Sequence, residues 1–312
     1  MRWGGATRVV THGLALLLGC TVTLYLVGPP RHHAPHYQPD RTGHPSRQSS
    51  SYLLVIAVLS ASDHAQQREA IRQTWGGRLN RAVRLFFVVG AAPSRLEHNL
   101  KAEHEANGDL LRVQAPESYR GLTRKLLDTL KRLHADYRFD YLLKVDDDSF
   151  VQLDGLIEEL RGLEGPLYWG YFQGRGTVFQ EGRWKETNWF LCDRYLPYAY
   201  GGGYVLSHNL VQFIVQNADM LSEYNSEDVS VATWLAPLKL NRVHDARFNT
   251  QTVSRGCRNS HLILHKQSPD DMRRLHLRLQ TAGTLCPKEF DSIVPYTYNW
   301  KALPSKCCKT EQ

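Results

Sequence analysis

Three consecutive carboxylates, Asp146, Asp147 and Asp148, follow the run Phe139-Asp140-Tyr141-Leu142-Leu143-Lys144-Val145 and precede Phe150-Val151. The run before them has the apolar, β-favouring composition of a buried strand. Adjacent negative charges repel one another, so a fold tolerates them best against a cation. Carboxylate oxygens are hard ligands that suit Mg²⁺ or Mn²⁺, in sites that commonly include substrate phosphates. The alternative for three acids in isolation is a solvated acidic turn. A second group with chemical potential is Arg68, Ile71, Arg72 and Trp75. Their spacing of i, i+3, i+4 and i+7 puts all four on one helix face. Two arginines do not suit a core face, and Ile with Trp does not suit a solvent face. A face lining a cleft accommodates both, and the guanidinium fork matches phosphate oxygens. Arginines snorkelling around a half-buried Trp remain the structural alternative.

Positioning such groups requires a regular frame, and the chain supplies one. Tyr52 to Leu59 is almost wholly apolar, as in a central parallel strand buried on both faces. Ser62 or Asp63 is placed to cap a following helix, with Asp63 and Gln66 in a loose capping-box pattern. Arg84 to Val89 reads as a second strand ended by Gly90. Leu96 to Asn107 reads as a helix, Asp109 to Val113 as a short strand and Leu122 to Tyr137 as a long helix. This alternation predicts an α/β, doubly wound sheet with ligands at the carboxyl ends of its strands.

The first 51 residues differ from the rest. Residues 1–8 carry Arg2 and Arg8 and no acid. Val9 to Gly28 has the length of a bilayer-spanning helix and contains no Asp, Glu, Lys or Arg. The charge order predicts a signal anchor with a cytoplasmic N-terminus. A cleaved signal peptide is the rival, although no small-x-small site precedes Pro29-Pro30. Residues 29–51, rich in Pro, His, Arg, Ser and Gln, lack the apolar content for a core and predict a flexible stem. Residues 52–312 are then one large globular domain. No N-x-S/T sequon occurs.

Of six cysteines, Cys20 lies in the predicted span. Cys192, Cys257, Cys286, Cys307 and Cys308 remain, an odd number suited to an oxidising lumen with at least one left over. The adjacent Cys307 and Cys308 are not expected to pair with each other. The net charge of +7 is spread along the chain, which argues against a nucleic-acid partner and for attraction of anions such as a diphosphate or an acidic glycan.

Five segments, in order, resemble the motifs of the beta-1,3-glycosyltransferase family. They are Arg68-Glu69-Ala70-Ile71-Arg72-Gln73-Thr74-Trp75, Phe86-Phe87-Val88-Val89-Gly90, Lys144 to Val151, Tyr198-Ala199-Tyr200-Gly201-Gly202-Gly203-Tyr204-Val205-Leu206-Ser207 and Glu227-Asp228-Val229. The likeness spans about residues 52–290. Gly121-Leu122-Thr123-Arg124-Lys125-Leu126 and Ala232 depart from the family's usual N-L-T-x-K-T and Gly. Within the family the likeness is greatest to members that build the proteoglycan linker. It is carried by Leu196-Pro197, His244-Asp245-Ala246-Arg247-Phe248, Ser254-Arg255-Gly256-Cys257, His265-Lys266-Gln267-Ser268 and Cys307-Cys308.

The resemblance implies a single lumenal GT-A domain that inverts at the sugar's anomeric carbon and uses Mn²⁺. It implies a UDP-galactose donor, a glycosaminoglycan linker acceptor and type II residence in the Golgi membrane. Other family members offer alternatives: a different donor, such as N-acetylglucosamine, or an inactive glycan-binding protein. The implied roles are Asp148 and His265 as metal ligands, with Asp146 and Asp147 on ribose and metal-bound water. Arg68 and Arg72 would hold the diphosphate. In the Gly201-Gly202-Gly203 turn, Gly202 and Gly203 would let backbone approach a sugar, and Tyr204, Tyr200 or Trp189 could stack on one, although aromatics are more often core. Asp228 is the implied base for the acceptor hydroxyl, with Glu227 beside it as runner-up; carboxylates at a helix start are otherwise explained by the helix dipole. The resemblance also favours a Cys257–Cys286 disulfide, flanking His265 and the predicted helix Asp270 to Thr281.

Overall fold

The structure, a computed structural model, describes residues 51–310. The predicted tail, membrane span and most of the stem lie outside the described residues. Among the described residues no helix is long and apolar enough to cross a membrane.

The chain opens with strand β1 (Ser51–Leu59) and helix α1 (Ala65–Gln73). Then come β2 (Val83–Ala91), α2 (Ser94–Asn107), β3 (Leu110–Pro116), α3 (Leu122–Asp136) and β4 (Arg138–Asp146). These are the predicted elements, each within a few residues of its expected bounds. The four strands run parallel in the order β3-β2-β1-β4, and Leu59 of β1 pairs with Asp146 of β4. The three carboxylates therefore leave the sheet at its carboxyl edge, beside the end of β1. Val55, Ala57 and Leu59 face one core while Leu54, Ile56 and Val58 face another, which is why β1 has no polar alternation.

The second half changes direction. Strand β5 (Phe150–Val151) and helix α4 (Leu153–Leu160) lead to β6 (Leu167–Gln173), β7 (Tyr198–Ser207), α5 (His208–Gln216), α6 (Glu227–Leu235) and β8 (Asn241–His244). β7 runs antiparallel to β4, placing Lys144 opposite Tyr204 and Val145 opposite Gly203. β6 and β8 complete a seven-stranded mixed sheet. A small sheet then joins β5, β9 (Phe248–Asn249) and β11 (Ile263–Leu264), with β10 (Gly256–Cys257) between the last two in sequence. It delivers the segment after β11, and with it His265, to the end of β4. Helix α7 (Pro269–Ala282) follows, opened by a complete capping box between Ser268 and Asp271.

Three sequence expectations are corrected. Neither Ser62 nor Asp63 caps α1: His64 occupies that position, and its ring reaches across to Asp147 Oδ2 at 2.9 Å. Cys307 and Cys308 do pair with each other. A short 3-10 turn at Pro304–Lys306 brings the two side chains together, buried beneath Gly174 and Tyr298. The third concerns the two arginines of α1. Arg68 is fully buried, its guanidinium bonded to Glu103 of α2 at 2.8 Å, the Ala61 carbonyl at 2.6 Å and Ser60 Oγ at 3.0 Å. Arg72 pairs with Glu103 at 2.7 Å and with Asp109 at 2.8 Å. All three guanidinium nitrogens of Arg68, and Nε and Nη2 of Arg72, are engaged in fastening α1 to α2 and to the start of β3, while Arg72 Nη1 lies 3.6 Å from Glu69, so the two arginines serve the packing of α1. Replacing Arg68 with Met should cost about 3 kcal/mol, the scale for breaking a buried ion pair. The folded fraction should keep its affinity for UDP within about threefold. A tenfold affinity loss at unchanged melting temperature, read by calorimetry beside a thermal scan, would return Arg68 to the binding site.

Disulfide Cys257–Cys286 is present and ties the segment around His265 to the chain after α7. Cys192 is free and exposed.

Candidate active site

The turn after β4 is held by the motifs that surround it in space. Trp75, the last residue of the arginine motif, is buried beneath the turn and donates from Nε1 to the Ser149 carbonyl at 3.1 Å. Ser149 Oγ donates to the Gly202 carbonyl at 2.7 Å. The backbone of Gln267 donates to the Asp148 carbonyl at 2.8 Å. The acidic turn is thus pinned from α1, β7 and the His265 segment.

Asp146, Asp148 and His265 converge so that one potential ligand atom from each lies within 4.8 Å of the others. His265 Nδ1 lies 3.1 Å from the Gln251 carbonyl. A carbonyl only accepts, so Nδ1 carries a hydrogen and Nε2 is the nitrogen left to bind a cation or a second proton. Nε2 is 3.0 Å from Asp148 Oδ1 and 3.4 Å from Asp146 Oδ2. Yet neither Nε2 nor Asp148 Oδ1, both buried, makes a hydrogen bond of acceptable geometry. Lone pairs facing one another without solvent are stable only around a positive charge. Burial alone would lower the His265 pKa, but Asp146 and Asp148 outweigh it and raise it to about 9, so without a cation a proton on Nε2 fills that place and a divalent ion binds by displacing it. This set of two carboxylates and one imidazole fits a divalent cation. Asp146, expected on ribose and metal-bound water, joins the two expected ligands.

Gly202 explains how His265 comes so close. A Cβ there would stand 2.6 Å from the His265 ring and 2.6 Å from the Thr250 carbonyl. At Gly203 a Cβ would meet Ile263 at 2.9 Å. The close approach that the glycines permit is therefore to protein, not to a sugar. Gly202→Ala should push the imidazole out of line and weaken Mn²⁺ binding by at least tenfold in a calorimetric titration. Unchanged Mn²⁺ affinity in that variant would detach Gly202 from the cation site.

Lys144 joins this group to the second pair of carboxylates. Its ammonium is buried and bonded to Asp146 Oδ1 at 2.8 Å, the Gly201 carbonyl at 2.5 Å and Glu227 Oε2 at 3.2 Å. Glu227 also accepts from the hydroxyl of Tyr204, which is wholly buried. Tyr204 is therefore a core residue and does not stack on a sugar. Glu227 faces inward and holds Lys144 instead of touching substrate. Trp189 likewise packs against Tyr195 and Tyr224, with Nε1 bonded to the Cys192 carbonyl. Tyr200 is partly exposed and bonded to Gln173 at 2.8 Å.

Asp228, in the first turn of α6, is only half-buried. One oxygen accepts the Gly201 N–H and the other the Val229 N–H, each at 2.9 Å. Each oxygen keeps a further lone pair for a proton. Burial, followed by the charge of Glu227, raises the Asp228 pKa to about 7, against the opposing pull of Lys144. That is the range in which a carboxylate works as a base at neutral pH. The sequence reading gave no part to Lys144, and its place in the acidic motif was the signal available.

Beside the cation group, at the carboxyl ends of β1 to β4, lies a cavity of about 500 Å³. Its walls include His64, Asp147, Glu117, Lys125, Arg183 and Lys266. The volume suits a nucleotide-sized ligand. Arg68 and Arg72 are not on its walls.

A mixed α/β domain with a carboxylate-histidine cation group, a poised base and a nucleotide-sized cleft has the parts of a glycosyl-transfer enzyme. The Galactosyltransferase family pattern matches residues 66–246, and the chain belongs to that family. Beta-1,3-galactosyltransferase 6 of Mus musculus is 40% identical over 98% of each chain. Hydroxyproline O-galactosyltransferase GALT6 of Arabidopsis thaliana is 30% identical over 77% of this chain and 37% of its own. UDP-GalNAc:beta-1,3-N-acetylgalactosaminyltransferase 2 of Xenopus laevis is 27% identical over 66% and 44%. The chain is a galactosyltransferase that takes a nucleotide-sugar donor and a glycan acceptor.

Proposed function

We propose that the chain transfers galactose from UDP-galactose, with inversion, to the 3-hydroxyl of the galactosyl-xylose linker of proteoglycans. We place it in the Golgi membrane, anchored by residues 9–28 with a GT-A catalytic domain in the lumen. The reading of the transferred sugar and its linkage rests on the near-complete overlap with the mouse relative, whose name states the galactose and the beta-1,3 linkage; the linker acceptor is the one the sequence resemblance implies. The reading of the site rests on one observation. Lys144 ties a cation-binding end to a proton-accepting end, so donor and acceptor chemistry meet over β4 and β7.

In the reaction, a lone pair of the acceptor 3-oxygen forms the bond to the galactose C1, and the bond from C1 to the diphosphate oxygen breaks. Asp228 takes the hydroxyl proton, and the electron pair of the breaking bond leaves on UDP. Manganese held by Asp146, Asp148 and His265 would neutralise charge on the departing diphosphate. Lys144 keeps Glu227 in place, and the Gly201 N–H fixes the direction of Asp228. Glu186 accepts from the backbone N–H groups of Thr187, Asn188 and Asn225, tying the β6–β7 connection to the segment that precedes the base.

The test is an assay of the purified full-length chain with UDP-galactose, UDP-N-acetylgalactosamine and UDP-N-acetylglucosamine, against a xylose-linked β-galactoside and a free β-galactoside. The expected product is a β-1,3-linked galactose on the xylose-linked acceptor, made with Mn²⁺ and abolished by chelation. Preference for an N-acetylhexosamine donor, or for the free galactoside, overturns the assignment.

A further inference from the structure

We propose that Lys266 is a donor-binding residue that takes up charge on the distal phosphate of the nucleoside diphosphate. The assignment rests on the nucleotide-sugar reading of the cavity. With Arg68 and Arg72 off the cavity wall, the site needs another cation beside the metal ligands. Lys125 is buried and committed to Glu117 at 3.0 Å and the Ser60 carbonyl at 2.7 Å. Arg183 reaches the wall from the β6–β7 connection, but its guanidinium lies over the rings of Tyr119 and Trp184, 5.0 Å from each centroid. Lys266 lines the cavity, is 45% exposed at its side chain, and bonds to Asp148 Oδ2 at 2.8 Å.

The backbone supports this placement. Lys266 is the only non-glycine with positive φ among the described residues, at φ 62. The left-handed region is unfavourable for a residue with a Cβ. In an extended segment, His265 and Lys266 would point to opposite faces. The left-handed turn lets both reach Asp148, His265 at Oδ1 and Lys266 at Oδ2. The turn is fixed on its far side by Gln267, whose backbone donates to the Asp148 carbonyl and whose side chain donates to the His265 carbonyl at 2.9 Å. Asp148 thus has one oxygen facing the cation group and the other holding an ammonium at the cavity wall. A diphosphate carries more negative charge than one divalent cation neutralises; Arg95 also lines the cavity, from the start of α2, but Lys266 is the solvent-accessible cation bonded to a carboxylate of the cation group itself.

The full-length chain and its Lys266→Met, Lys266→Arg and Lys266→Gly variants can be titrated by calorimetry with Mn²⁺ alone, then with UDP and with UMP at saturating Mn²⁺. Lys266→Met should weaken UDP by about ten- to fiftyfold while UMP, which lacks the distal phosphate, and Mn²⁺ change less than threefold. Lys266→Arg should recover most of the UDP affinity. Lys266→Gly suits the left-handed turn, so it should melt no lower than the wild type and still lose UDP affinity. Equal losses for UDP and UMP, or an unchanged UDP affinity in Lys266→Met, overturn the assignment alone. A wild-type chain that binds no UDP overturns the donor reading and this assignment with it.

Discussion

Asp228→Asn should lose turnover by about a hundredfold or more, the scale for removing a positioned general base, while binding UDP and Mn²⁺ like the wild type. The amide is nearly isosteric and its oxygen can still accept one of the two backbone N–H groups, but it cannot take a proton from the acceptor. The wild-type pH profile should carry the same signature. With the Asp228 pKa near 7, activity should fall as pH drops through 7 and level off above it, and this limb should vanish in the variant. Stability should move the other way. A carboxylate whose pKa is raised on folding binds its proton more tightly in the native state. It therefore destabilises the fold progressively from about pH 4, the unfolded value, to pH 7, and fully above that. Asp228→Asn should melt a few degrees higher than wild type at pH 8, on the order of 1–2 kcal/mol after allowing for its partial exposure. Below pH 4 this advantage should disappear, leaving only the cost of the second backbone N–H that the amide nitrogen cannot accept. A variant that keeps most of its activity, particularly if Glu227→Gln loses it, would show that the neighbouring carboxylate is the base.

Asp148→Asn should fail at an earlier stage. It removes a charged ligand from the cation group and the partner of Lys266, so Mn²⁺ and UDP affinities should fall together, each by about tenfold or more. Turnover falls with them. Calorimetry on this variant and Asp228→Asn in parallel separates the two ends of the site: one loses binding, the other loses only chemistry. If Asp148→Asn bound Mn²⁺ as tightly as wild type, the metal assignment would have to move to other residues.

Much of this arrangement was legible in the sequence because it is written locally. A strand with no polar alternation has to be buried on both faces, so β1 and its parallel neighbours follow from composition. The acids after β4 are adjacent in sequence, and adjacency makes their repulsion visible. The arginines show the opposite situation. Spacing put Arg68 and Arg72 on one face of α1, but the choice between ligand and ion pair was made by Glu103 and Asp109, more than thirty residues away. Nothing local marks a carboxylate on the next helix as their partner. In the sequence, Tyr204 is open between a sugar-stacking and a core role for a similar reason. A glycine-rich run followed by an aromatic suggests exposure to a sugar, whereas pairing β7 against β4 turned that ring into the core. Lys266 was hidden because its importance depends on a left-handed turn, and a lysine gives no sign of one.

The antiparallel junction between β4 and β7 has a consequence for how the chain is made. β4 is complete at Asp146, but its partner begins only at Tyr198. At ribosomal rates of roughly 5–20 residues per second, the β4 edge waits several seconds for its neighbour. The waiting edge is Leu142, Leu143 and Val145, fully buried in the finished fold. An unpaired apolar edge is a template for misassembly with other chains. The most vulnerable species during synthesis is therefore the intermediate that already holds the acidic turn and lacks the strand that covers it, and chains ended before residue 198 should aggregate.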